Sequence, residues 1–186
     1  MIISYKYTNN RCLNDFWKKI KCRNFSLEKL IANYKNAESL LSAINNNRDF
    51  LGKYLEWVDS YTTTEKALMN IKKTRKTDKC SYFIIVDKKI AGKISFVDID
   101  NNMGEISYWL SKEYNGRGII TNALQTLMKI GFDKMHLNRI QLTIDIDNTQ
   151  SCAVAERCGF KCEGILRKYF LLRGVPRDMK IYSIVK

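Results

Sequence analysis

The stretch from Tyr108 to Phe132 constrains the fold more than any other part of the chain. It opens as the end of a strand, passes through a loop in which Gly116 and Gly118 flank Arg117, and continues as a helix. Ile120, Ala123, Leu124, Leu127, Met128 and Gly131 recur every three or four residues, the apolar stripe of a helix lying on a sheet. Thr121 and Asn122 offer side-chain oxygens to its first turn. Two glycines at a strand-to-helix junction remove side chains, so backbone N–H groups can approach an anion. The helix end adds unpaired N–H groups and a partial positive charge, and Arg117 adds a full one. The pattern reads as a phosphate- or pyrophosphate-binding turn. It is not a P-loop, because no Gly-Lys-Ser/Thr follows the first glycine. Nor is it a dinucleotide fingerprint, because Thr121 stands where the third glycine belongs. Taken alone, the stretch also reads as a glycine turn without a ligand.

A chain of 186 residues suits one domain with a proper core. No apolar run approaches a membrane span, and Met1–Lys6 lacks the basic start and apolar middle of a signal peptide. A cytoplasmic location and no membrane partner are expected. Cys12, Cys22, Cys80, Cys152, Cys158 and Cys162 contain no Cys-x-x-Cys pair, and one histidine gives zinc little support. Reduced thiols that pack, and no metal, are the reading, with Cys152 beside Ser151 and so near any ligand there. The net charge of +13, from 32 Lys and Arg against 19 Asp and Glu, favours anionic partners or a solvated basic surface.

Residues 1–26 read as an N-terminal extension, either a docked helix or an arm, with a basic-aromatic patch at Phe16 and Trp17 suited to nucleic acid or to docking. Residues 27–186 read as the domain. Leu27–Tyr34 is the first expected strand and Ala37–Asn46 the first helix. An aromatic loop carries Tyr54, Trp57 and Tyr61, and Thr64 caps a helix to about Thr74. Tyr82–Val86 and Ile90–Asp98 form a hairpin, followed by a strand Gly104–Leu110 and the central helix. The strand Ile140–Ile146 alternates cleanly, so one face is buried. A short helix follows Asn148 and ends at Gly159. Lys161–Leu172, a turn Arg173–Arg177 and a strand Asp178–Val185 complete the pattern. The fold class is α+β: one central mixed, mostly antiparallel sheet flanked by helices, in a single domain.

Asn148 to Phe160 is the second informative stretch. With Gly104–Leu110, Asn115–Leu124, Leu137–Arg139 and Gly174–Asp178, in this order, the chain resembles the GNAT N-acetyltransferase superfamily, nearest its RimJ/RimL branch, which acetylates ribosomal-protein N-termini. The resemblance implies acetyl-CoA as donor, a primary amine as acceptor and direct transfer with both bound. It places the pyrophosphate on Asn115, Gly116, Arg117, Gly118, Ile119, Ile120 and Thr121, although position 120 is usually Gly or Ala in the family. The Ile120 side chain must then point into the core. It implies a free backbone N–H near Trp109, Leu110 and Ser111 for the thioester carbonyl, a positioned donor worth about 3 kcal/mol of barrier. Glu105 is the candidate base for the amine, directly or through water, or a strand glutamate in a pair. Ser151 is the candidate acid for the departing thiolate, or a helix cap, and Asn148 the contact to the pantetheine arm. Tyr54, Trp57 and Tyr108 are candidate acceptor contacts, or packing aromatics. Arg167, Lys168, Tyr169 and Phe170 depart from the branch where it can carry a glutamate, which leaves the acceptor open. His136, in a loop, has no assigned role.

The expected function is N-acetylation of a protein N-terminal amine. The alternatives are a small amine such as a polyamine or aminoglycoside, or a CoA- or RNA-binding domain without catalysis. Expected partners include a ribosomal protein or the ribosome, and a second copy of the chain as a homodimer.

Overall fold

The computed structural model describes residues 18–77 and 80–186. The elements run β1 (Lys19–Lys21), β2 (Ser26–Lys29), α1 (Tyr34–Asn45), α2 (Arg48–Gly52), a 3-10 turn Glu56–Ser60, α3 (Thr64–Thr77), β3 (Cys80–Val86), β4 (Lys89–Asp100), β5 (Met103–Leu110), a 3-10 turn Lys112–Tyr114, α4 (Ile119–Asp133), β6 (Arg139–Asp145), α5 (Thr149–Arg157), β7 (Lys161–Leu172) and β8 (Val175–Val185). One eight-stranded sheet has the order β1-β2-β3-β4-β5-β6-β8-β7. Among the described residues only β5 and β6 pair in parallel, across the α4 crossover. The α+β architecture expected from the sequence is the one observed.

The sheet is apolar on both faces. Tyr82, Ile84 and Val86 of β3 join the cluster under α4 and α5, where Leu124, Leu127, Ile140 and Leu142 are almost fully buried. The alternate residue Phe83 faces the other way, with Leu40 and Ile44 of α1 and Ala67 and Ile71 of α3. The period of two along each strand supplies both layers. Three hairpins turn on two left-handed residues each: Asp87–Lys88, Asn101–Asn102 and Arg173–Gly174. This geometry matches the twist of the strands it joins.

Several boundaries differ from expectation. The first strand of the expected domain is short, Ser26–Lys29. Residues 19–21, read as part of the extension, form β1 at the sheet edge, with Ile20 opposite Leu27. Pairing with β2, not side-chain pattern, makes that three-residue strand. Phe16 and Trp17 lie outside the described residues. The helix after the aromatic loop is capped by Thr63, not Thr64: the Thr63 hydroxyl accepts from the Lys66 amide at 3.3 Å. The expected turn Arg173–Arg177 shrinks to two residues, with Pro176 inside β8 opposite Leu171 of the edge strand β7. Proline is tolerated near a sheet edge.

Candidate active site

The site forms where β5 leaves β6. The two strands pair only over Met103, Gly104 and Glu105, while β5 stays on β4 up to Leu110 opposite Gly92. A wedge opens between β5 and β6 beyond Glu105. The Ser111 amide donates to the Ala91 carbonyl at 2.8 Å. Alternation along an antiparallel ladder then turns the amides of Leu110 and Tyr108 away from β4, into the wedge. Of the three residues expected to offer a free N–H, Leu110 is the one so placed.

A cleft of about 110 Å³ occupies the wedge. Tyr108, Trp109 and Leu110 form its β5 wall, Asn148, Ser151 and Val154 its α5 wall, and Asn115 and Ile120 its floor toward α4. Tyr54 closes it from the segment after α2. Ser151 does not cap α5. Asn148 does: its side-chain oxygen accepts from the Ser151 amide at 3.1 Å. The Tyr108 hydroxyl donates to the Ser151 carbonyl at 3.3 Å. Burial pushes the Tyr108 phenol well above its ordinary value. The Tyr54 hydroxyl donates to the Asp147 carbonyl at 3.1 Å, joining the segment after α2 to the loop before α5.

The glycine turn lies at the α4 end of this cleft. Gly116 and Gly118 have φ of +75° and +70°, values that favour glycine. A Cβ on Gly116 would meet nothing within 4 Å, and one on Gly118 only Asn122 Nδ2 at 3.9 Å. The space over the turn is open. Among the described residues no side chain caps α4, and neither Thr121 nor Asn122 serves its first turn as expected. Its leading amides and positive dipole end are available to a diphosphate. Arg117 sits 5.4 Å over the Tyr114 ring, which fixes its guanidinium at the turn. The Ile120 side chain is buried in the core beneath, as the substitution required. These features fit the pyrophosphate of a CoA ester.

Other expected residues fall elsewhere. Glu105 lines neither this cleft nor the larger cavity described below; its carboxylate accepts from Gln141 Nε2 at 3.3 Å, beside the last β5–β6 pair. Ser111 is buried, with its hydroxyl unpartnered. Cys152 points into the core, not toward the cleft. Trp57 stacks at 6.0 Å from Trp109 on the opposite side of β5. There it lines a second cavity of about 330 Å³ that shares Tyr108 and Trp109 with the first.

Three structural contributors carried little signal. Gly92 has no side chain where the end of β5 crosses β4: a Cβ there would lie 2.3 Å from the Trp109 carbonyl oxygen. A glycine inside a strand pattern is the general sign of such an approach. Asn47, buried, accepts from the Lys112 amide at 2.8 Å and so anchors the loop after β5 to the α1–α2 junction. Arg177 forks onto Asp145 at 2.8 and 3.0 Å and also reaches Asp147 at 2.5 Å, which sets the loop carrying Asn148.

The profile of the acetyltransferase (GNAT) domain matches residues 27–161. The chain is 31% identical over 164 residues to the ribosomal-protein-serine acetyltransferase of Escherichia coli (strain K12), covering 85% of this chain and 92% of that one. It is 28% identical over 99 residues to the spermidine N(1)-acetyltransferase of the same strain, covering 52% and 53%. Among solved structures, the microcin C7 self-immunity acetyltransferase MccE, in complex with acetyl-CoA and AMP, superposes with a TM-score of 0.85 at 32% identity, over 92% of this chain and 98% of that one. RimL, the ribosomal L7/L12 α-N-protein acetyltransferase, in complex with coenzyme A, superposes at 0.82 with 26% identity, over 90% and 97%. The wedge, the open glycine turn and these likenesses agree: the chain belongs to the GNAT family of acetyltransferases, in its RimJ/RimL branch, with acetyl-CoA as its acetyl donor.

Proposed function

We propose that the chain transfers acetyl to the α-amine of a protein N-terminus. Identity favours this acceptor over a polyamine: the ribosomal-protein relative is 31% identical over 85% of the chain, whereas spermidine acetyltransferases match at 28% over 52% and at 23% over 77%.

When bound, acetyl-CoA supplies an activated thioester. The amides of Gly116, Gly118, Ile119, Ile120 and Thr121 and the Arg117 guanidinium hold its diphosphate, with Asn115 and Asn148 along the arm. The Leu110 amide, pointing into the wedge, donates to the thioester oxygen as charge gathers there, with Trp109 and Ser111 fixing its angle; such a donor is worth about 3 kcal/mol. Ser151 delivers a proton to the departing sulfur. Glu105 takes the proton of the acceptor ammonium through water, because its carboxylate lies along β5 from the cleft. Tyr54, Trp57 and Tyr108 border the acceptor.

The observation that carries the transfer chemistry is the loss of β5–β6 pairing after Glu105 beside an uncapped helix end. The test is CoA release over a panel of N-terminal peptides, spermidine and an aminoglycoside. Turnover of peptides is expected. Turnover of spermidine alone would replace the acceptor, and binding of acetyl-CoA with no turnover at all would remove catalysis.

A further inference from the structure

The gap between β5 and β6 runs through the sheet. On one side lie α4 and α5, where the donor is placed. On the other side the segment 50–59 covers it. Phe50, Leu51, Tyr54 and Leu55 line the cleft, while Leu51 and Val58 pack with residues of α1 and α3. An acceptor that meets the thioester from the side away from the cofactor passes this segment.

The segment is tied to each wall around the gap. Trp57 stands 6.0 Å from Trp109 at the end of β5. The Tyr54 hydroxyl donates to the Asp147 carbonyl at 3.1 Å, just past the end of β6. The remaining wall is the β7–β8 hairpin, which outruns β6: the β6–β8 ladder ends with Asp145 opposite Met179, while β8 begins at Val175. From the hairpin tip Arg173 forks onto Asp59, with Nε at 2.8 Å and Nη2 at 3.0 Å. Its Nη1 donates to the Gly52 carbonyl at 2.7 Å. One guanidinium thus grips both ends of the stretch that carries Tyr54 and Trp57. Gly52 leaves it room, since a Cβ there would stand 3.4 Å from Arg173 Nη2.

Local structure does not call for an arginine at this position. Its φ is +48°, a left-handed value that glycine and asparagine adopt more readily in such a turn. Both side chains of the ion pair are exposed, at 43% and 53%, where a pair contributes little to stability. What the residue secures is geometry, because a planar fork sets distance and angle together. We infer that Arg173 is a positioning residue for the acceptor: through Asp59 and Gly52 it holds Tyr54 and Trp57 across the gap and so sets the width of the acceptor's approach. This rests on the acetyltransferase reading above and deepens it. With the fork closed, the cleft of about 110 Å³ admits an amine on a small first residue and crowds one on a bulky first residue. With the fork open, the covering segment loses its hold on the hairpin and both contact and discrimination weaken.

The experiment measures kcat and KM on the full chain at saturating acetyl-CoA. The acceptors are two peptides that differ only in the first residue, serine or phenylalanine, and spermidine. Arg173→Met is expected to raise KM for the serine peptide about fivefold, the worth of one well-placed ion pair. The preference for serine over phenylalanine should narrow, while kcat, acetyl-CoA affinity and thermal stability change little. Adding Asp59→Asn to Arg173→Met should change nothing further, because both act through one fork. Arg173→Lys keeps the charge without the fork and should restore KM only in part. An unchanged KM and an unchanged preference in Arg173→Met overturn the inference and leave the enzyme an acetyltransferase. Equal losses in acceptor KM, acetyl-CoA affinity and stability also overturn it, since the arginine then only supports the fold. If wild type prefers spermidine, the N-terminal reading falls and the variants are read on spermidine: a raised KM keeps the inference, an unchanged one ends it. No turnover of any acceptor, with acetyl-CoA bound, overturns both. If Arg173→Met does not fold, Asp59→Asn alone decides by the same KM and preference.

Discussion

Gly92 lets Trp109 pass: a Cβ on the glycine would lie 2.3 Å from the Trp109 carbonyl oxygen and 3.1 Å from the Leu110 Cα. The end of β5 rests on bare β4 backbone at the point where it has already parted from β6. Gly→Ala at a compatible position gains about 0.4–1 kcal/mol through the unfolded chain. Here the contact is main chain, which cannot rotate away, and overpacking costs about 1–3 kcal/mol. Gly92→Ala is expected to lower both the melting temperature and the affinity for acetyl-CoA. A variant that melts no lower and binds equally well would show that this approach does not shape the wedge.

Gly118→Asp places a carboxylate where the diphosphate is proposed to sit. The new Cβ has room, meeting only Asn122 Nδ2 at 3.9 Å, and aspartate tolerates positive φ better than most residues. The fold should survive with a loss of about 1 kcal/mol, while acetyl-CoA binding is abolished. Gly118→Asn has the same shape without the charge and should bind more tightly than the aspartate variant. Equal affinities in calorimetry would mean that strain, not repulsion, weakens the site.

Much of the donor side was legible because it is local. Gly116, Arg117, Gly118 and the stripe from Ile120 to Gly131 are contiguous, and backbone geometry at a strand-to-helix turn is set within a few residues. Residues acting across the sheet were harder. Gly92 is 17 positions before Trp109, and nothing in the chain's pattern announces their meeting. Glu105 was read from its strand position alone. In the fold that position lies beside Gln141, before the strands part. The Lys19–Lys21 strand has one apolar residue and exists through its partner. Lys73 and Lys93 are 20 positions apart and come to one cavity only through the packing of α3 on β4.

Ser151→Ala separates chemistry from structure. Asn148, not Ser151, caps α5 through the Ser151 amide, which the substitution retains. Stability should change by no more than about 0.5 kcal/mol, and acetyl-CoA affinity should hold. Loss of a positioned proton donor is expected to lower kcat by roughly 10²-fold. Tyr108→Phe removes the bond to the Ser151 carbonyl and should lower kcat less. Wild-type turnover in Ser151→Ala would leave the serine without a catalytic part.

Arg177→Met tests how the Asn148 loop is held, and pH gives the sign. Burial alone would raise the Asp145 carboxyl above 3.8; the Arg177 fork and the Asp147 amide outweigh it, and the net shift is downward. A carboxyl lowered in the folded state adds stability that is complete above its unfolded value and is lost as pH falls through the folded value. Without the guanidinium, burial is opposed mainly by the weaker pull of the Asp147 amide, and Asp145 should be raised instead. The variant then loses stability as pH rises above about 4, where the unfolded carboxyl ionises and the folded one resists. The gap in urea midpoint between wild type and variant is therefore expected to be widest near pH 7 and to close below pH 4. Turnover should fall with it, because the same fork orients Asp147 and the loop before Asn148. A gap independent of pH would show that Arg177 contributes by packing alone.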